Sequence, residues 1–197
     1  MVLRRFLGLD DSRKATPREV IPDAAPRPAP IVPSDTATIR RIVAAMETLP
    51  DERRKFVAGF AYVLGRIAHA DLTVTGAERR AMERIVVETG GLPEEQAVLV
   101  VEIARSQNDL YGGTEDYLVT REFKDRTTED QRLALLRCCF AVGAAEGVIS
   151  AEESAELNAI AKELGIDDTV LNAMRGEFTD QFEAIQKMRR LGADAKS

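Results

Sequence analysis

Tryptophan is absent from this chain, histidine occurs once and cysteine twice. With three Tyr and seven Phe in 197 residues, any core must be mainly aliphatic. The lone His69 has no histidine or cysteine cluster to join, and no evident nucleophile or orienting partner, so it reads as a surface or packing residue. Cys138 and Cys139 are adjacent. Neighbours on a helix point about 100° apart, so the pair has neither helical facing nor the CxxC spacing of a redox or metal motif. They read as small buried hydrophobes in a reducing compartment. No apolar run approaches the roughly 20 residues of a membrane span. Only four uncharged residues separate Arg5 from Asp10, too few for a secretory signal, and a cytoplasmic protein is expected. Walker, dinucleotide and HExxH motifs are all missing, and so are alternating strand patterns and hairpin dipeptides. An enzyme is therefore not expected.

Basic charge is scarce where a nucleic-acid binder would need it. Net charge is −6, but residues 1–33 carry +2 and the remainder −8. An acidic body disfavours a phosphate backbone and permits cations or a basic protein surface. The 45% apolar and 30% charged composition is otherwise that of an ordinary globular chain.

The charge boundary coincides with a proline boundary. Six of the eight prolines lie within residues 10–33, where Ile21-Pro-Asp-Ala-Ala-Pro-Arg-Pro-Ala-Pro30 can neither propagate a helix nor donate to a sheet. Residues 1–33 are expected to form a disordered tether, 34–190 a helical domain and 191–197 a flexible tail. On the tether, Val2, Leu3, Phe6 and Leu7 give Met1–Leu9 an apolar helical face beside Arg4 and Arg5. Contact of this segment with an anionic bilayer is the weaker expectation, because stable anchoring usually takes a second signal.

What the chain has in abundance is self-similarity. Ala70-Asp-Leu-Thr-Val-Thr-Gly-Ala-Glu78 aligns without a gap on Ala145-Glu-Gly-Val-Ile-Ser-Ala-Glu-Glu153, at an offset of 75 residues. At the same offset Val63 and Leu64 fall on Cys138 and Cys139, Met82 on Leu157, Ile85 on Ile160 and Gly90 on Gly165. A shared offset over about 28 positions indicates an internal duplication. Each copy reads as a helix, a short acidic turn and a second helix.

Apolar periodicity fills in the rest. Helices are expected from Ser34 to about Leu49, from Pro50 to about Ala70, through Met82 and Ile85 to Gly90-Gly91, and from Pro93 through Val101 and Ile103. A short helix follows from Thr114 to about Phe123. Thr128 with Gln131 is a capping box opening a helix over 129–145. Another helix runs past Leu157 to Gly165, a short one is capped by Asp167, and a last one covers about 179–190. The fold class is all-α, a compact helical bundle of two pseudo-repeated helix-turn-helix halves.

Ala145-Glu-Gly-Val-Ile-Ser-Ala-Glu-Glu153, followed by Ile160-Ala-Lys-Glu-Leu-Gly165, resembles the acidic-Gly-x-Ile-Ser-x-x-Glu signature of the tellurite-resistance TerB-like family. That family includes the N-terminal region of membrane-anchored DnaJ-type co-chaperones. The resemblance spans roughly residues 50–175. The family usually carries Asp-Gly at the turn; here copy one reads Asp71-Leu72 and copy two Glu146-Gly147. The resemblance implies a helical module of bacterial tellurite or chemical-stress response, without established catalytic activity.

The acidic turns hold the candidate site. Thr75-Gly-Ala-Glu78 and Ser150-Ala-Glu-Glu153 are both S/T-x-x-E capping boxes, which accounts for the hydroxyl and the Glu. Capping does not require the acid four residues earlier, Asp71 or Glu146. If the two turns approach, Asp71, Glu78, Glu146 and Glu153 offer hard oxygen ligands to Ca²⁺, Mg²⁺ or Mn²⁺. An EF-hand is excluded, since Met82 and Leu157 occupy its twelfth positions. The expected function is a non-enzymatic interaction module with a protein partner; the alternative is a divalent-cation sensor.

Overall fold

A computed structural model describes residues 33–68, 76–106, 114–145 and 147–194. The Pro-rich tether with its Met1–Leu9 segment, His69, Asp71, Thr75, the Gly112-Gly113 break, Glu146 and the last three residues lie outside the described residues.

Among the described residues there are nine α-helices and one 3-10 turn. The helices are α1 (Pro33–Glu47), α2 (Asp51–Gly65), α3 (Gly76–Glu88), α4 (Glu94–Ser106), α5 (Thr114–Arg126), α6 (Glu129–Gly143), α7 (Ala151–Leu164), α8 (Asp168–Glu177) and α9 (Glu183–Asp194). The 3-10 turn is Thr179–Gln181, between α8 and α9. The two copies of the repeat are α2–α3 and α6–α7.

Most boundaries follow local chemistry. Thr128 accepts the Gln131 amide while the Gln131 side chain accepts the Thr128 amide, so two orphan donors at the start of α6 are satisfied reciprocally. Gly165 ends α7 at φ 68°, ψ 36°, a left-handed stop that suits a residue without Cβ. Asp167 caps α8 by accepting the Thr169 amide at 2.8 Å. Pro50 and Pro93 stand one residue ahead of the first helical positions, and their carbonyls accept from Arg54 and Ala97.

Four boundaries differ from the sequence expectation by three residues or more, one of them the end of the last helix, which runs to Asp194 through part of the expected tail instead of stopping near 190. Helix α2 stops at Gly65 rather than near Ala70, with Arg66 as its C-cap. Helix α5 runs on to Arg126 rather than ending near Phe123. The last helix starts at Glu183, not near 179. Phe182 is extended (φ −68°, ψ 127°) and pairs its backbone with Ile149, a distant partner invisible to local periodicity.

Helix α2 is the centre of the molecule. Every residue from Val57 to Gly65 is buried, and the helix packs on α4, α5 and α6. Gly59 lets α5 approach: a Cβ there would stand 2.7 Å from Cδ2 of Phe123. Phe56, Phe60 and Phe123 form one aromatic cluster at centroid separations of 5.5 to 6.4 Å. A second cluster gathers Phe178 and Phe182 around Phe140, at 5.5 and 6.5 Å. Between them the core is aliphatic, with Leu135, Leu136, Ile149, Leu157, Ile160 and Leu164 fully buried.

Candidate functional site

The second acidic turn is held from both ends. Gly147 carries φ +87°, a conformation an L side chain rarely adopts, so glycine is needed where the chain reverses. Ile149 is fully buried; its amide donates to the Gln181 carbonyl at 2.7 Å, and its carbonyl accepts from the Glu183 amide at 3.0 Å. Ser150 then caps α7. Its hydroxyl accepts the Glu153 amide at 3.1 Å, and Oε2 of Glu153 accepts the Ser150 amide at 2.7 Å. The capping box expected for copy two is formed.

Of the four candidate ligands, Glu78 and Glu153 are described. Glu78 is exposed in the first turn of α3. Glu153 is half-buried beside the end of α6, and a Cβ on Gly143 would meet its Oε1 at 3.8 Å and Cγ2 of Ile67 at 3.4 Å. Ile67, two residues beyond α2, Gly143 at the end of α6 and Glu153 in the first turn of α7 therefore lie close together. Asp71 and Glu146 lie outside the described residues. Among the described residues no group of three or more His, Cys, Asp and Glu side chains is placed to hold a metal ion.

Next to this junction lies a cluster that periodicity did not single out. Arg66, with only 4% of its side chain exposed, crosses from the end of α2 into α7. Its Nε donates to Glu156 at 2.6 Å, and Nη1 donates to Glu163 at 2.5 Å and to the Thr120 hydroxyl at 2.7 Å. Thr120 passes the chain on by donating to the Asp116 carbonyl. Burial by itself pushes the Arg66 guanidinium down; the hydrogen bond it donates to Glu163 and the charges of Glu156 and Glu163 outweigh it and leave the group above its ordinary value. It is a permanent cation clasped by two carboxylates. A signal was present in the sequence: one Arg in an otherwise apolar stretch, with Glu156 and Glu163 seven residues apart on one face of α7.

Cys138 and Cys139 are buried and free. Burial pushes the Cys138 thiol up to about 12, and raises Cys139 as well, with its neighbour adding to the effect. Sγ of Cys138 donates to the Ile85 carbonyl at 3.7 Å, tying α6 to α3. These are packing thiols, as expected from their place in the repeat.

Compared with known families, the chain matches the model described as tellurite resistance protein TerB over residues 57–176, a span that includes the Gly147-Val-Ile-Ser150 turn. The chain belongs to the TerB family. The match takes in both copies, from the buried run of α2 to the end of α8. No curated protein and no solved structure matches the chain. Among the described residues no helix is long and apolar enough to cross a membrane.

Proposed function

We propose that this TerB-family chain is a non-enzymatic interaction module that docks a protein partner in the cytoplasm during bacterial tellurite or other chemical stress. The observation that carries this reading is how the described polar groups at the junction are used. The Ser150 hydroxyl and one oxygen of Glu153 close a cap, and three donor hydrogens of Arg66 hold α5 and α7. Those groups build a rigid surface. One open, charged cleft of about 290 Å³ has Arg80, Arg84 and Glu83 in its wall, and suits side chains of a protein partner. The test is a strain lacking the chain, complemented with wild type carrying a photo-crosslinking residue at Leu118, an exposed position on α5. Loss of tellurite tolerance in the null strain and a discrete protein adduct under stress are expected. Unchanged tolerance removes the stress assignment, and absence of any adduct from Leu118 and from further exposed positions removes the docking role.

A divalent-cation sensor is the second reading, motivated by the one oxygen of Glu153 that the cap does not use. Its Oε1 takes no part in the cap and lies 3.8 Å from where a Cβ on Gly143 would stand. Asp71, Glu78 and Glu146 would complete the oxygen set for Ca²⁺, Mg²⁺ or Mn²⁺. After chelator treatment, millimolar cation then raises the melting temperature by mass action, and Glu153→Gln, which keeps an acceptor for the cap, removes the response. Absence of any shift in the wild type ends this reading and leaves the first untouched.

A further inference from the structure

Helix α9 is docked by its first turn only. Phe182 is buried against Phe140, Ile185 is half-buried, and Nε2 of Gln186 donates to the Gly147 and Asp180 carbonyls at 3.0 and 3.1 Å. From Lys187 to Gly192 every residue is exposed, with Met188 at 62% and Leu191 at 70%. An isolated helix this short is marginal in water, so an uncovered apolar stripe along it calls for a covering surface.

The arrangement of charge around that stripe identifies the surface. At about 100° per residue, Ala184, Leu191, Met188, Gly192 and Ile185 fill one continuous arc of about 120°, whose Ile185 edge is turned to the core and whose remainder is uncovered. Lys187 borders the arc on one side and Arg189 on the other, each about 40° beyond it. Arg190 and Glu183 lie near the opposite pole. Lys187 and Arg189 reach Glu183 and Asp180 at 2.6 Å, and Arg190 has no acidic partner among the described residues. Cations on both borders of an apolar arc are the pattern of a helix lying in the plane of a bilayer interface, with aliphatic stems in the acyl region and charged ends among anionic headgroups. A second copy fits poorly. Face to face, two such helices bring like-charged borders together, and two large exposed side chains per copy fall far short of the roughly 800 Å² per partner of a stable interface.

We propose that α9 is an interfacial helix that seats Met188 and Leu191 in an anionic lipid bilayer. Lipid contact goes beyond the interaction-module reading and does not depend on it.

Flotation of the full-length chain with vesicles of one part phosphatidylglycerol to two parts phosphatidylcholine tests the proposal, with pure phosphatidylcholine vesicles as control. Wild type is expected to float with the anionic vesicles only, and to be released by high salt. M188E/L191E should lower partitioning at least about tenfold, and K187Q/R189Q, which removes both border cations, roughly twentyfold. Both pairs are exposed and should leave the melting temperature unchanged, so a failure to fold would not masquerade as lost binding. F6E/L7E in the full chain, outside α9, should leave most of the binding in place. The proposal is overturned if wild type ignores anionic vesicles, if M188E/L191E floats as wild type does, or if F6E/L7E alone accounts for all binding. A concentration-dependent dimer that M188E/L191E dissolves, without vesicle binding, would also overturn it and assign the face to a second copy.

Discussion

The two copies of the repeat share a plan and have diverged in what they do with it. In copy one, α2 is buried on every face from Val57 onward and serves as the axis of the molecule. In copy two, α6 is half of a lighter pair: it carries Cys138 and Cys139 where copy one has Val63 and Leu64, and Arg137 on its exposed side. The clearest difference is at Arg66. Its counterpart is Ala141, and the counterpart of Glu156 is Ala81, so the clasp has no mirror image. It runs from copy one into copy two. Duplication supplied two similar units, and asymmetric substitutions locked them to each other. The comparison is most easily broken there. Arg66→Ala leaves Glu163 and Glu156 facing each other with no cation, and is expected to cost about 3 kcal/mol in chemical denaturation, a figure reduced for the partial exposure of Glu156. Replacing Arg66 and Glu163 together by Met and Leu should recover most of that loss, because an apolar pair of similar volume needs no partner. If Arg66→Ala melts as wild type does, the clasp is not what joins the halves.

Gly59 offers a second way to sharpen the contrast. Its counterpart in copy two is Ala134. Gly59 gives up helix propensity so that Phe123 can lie against α2, with a Cβ position only 2.7 Å from the ring. Gly59→Ala should therefore destabilise by about 1 to 2 kcal/mol, since crowding of a buried ring exceeds the gain of roughly 1 kcal/mol in propensity. Ala134→Gly should destabilise by about 1 kcal/mol from propensity alone. A stabilised Gly59→Ala variant would show that the ring can move aside.

These differences mark the limit of what was legible. The caps at Thr128, Ser150 and Asp167 and the stop at Gly165 are short-range events, and each could be read from two or three neighbouring residues. The repeat told which helices correspond, and the family resemblance rested on the same residues. Phe182 could not be read, because its extended backbone is set by Ile149, more than thirty positions away. The end of α2 was missed for a similar reason. The apolar pattern continues through Ile67, while Arg66 turns across to α7. For the candidate site, sequence named the Ser150 and Glu153 pair from its spacing, but the convergence of the ends of α2 and α6 beside Glu153 depends on packing between distant segments.

The cap of copy two is a smaller test. Ser150→Ala removes the acceptor for the Glu153 amide and should cost about 1 kcal/mol. Glu153→Gln keeps an acceptor for the Ser150 amide and should cost less. In the absence of added cation, a larger loss for Glu153→Gln than for Ser150→Ala would mean that its negative charge, rather than its cap, stabilises the junction.

The smallest expected effect separates the copies by pH. Copy two starts α8 from Asp167, whereas the aligned residue of copy one is Leu92, buried at 3% exposure ahead of Pro93. The first cap titrates and the second start does not. The Thr169 amide hydrogen bond, with the Thr169 hydroxyl adding to it, holds the Asp167 carboxyl below its ordinary value. A depressed folded-state pKa means that the ionised form binds the helix start better than the acid does. The contribution is therefore complete above the ordinary carboxyl range, near pH 4, and is lost as pH falls through the lowered value. Asp167→Asn keeps a side-chain acceptor and removes the titration. Wild type should melt slightly above this variant near neutrality, and the gap should close on acidification below about pH 4. Leu92→Ala should instead lower the melting temperature by an amount that does not follow pH, since no titrating group is lost. A gap between wild type and Asp167→Asn that stays constant down to the acid limit would show that the carboxylate at Asp167 acts through its shape and not its charge.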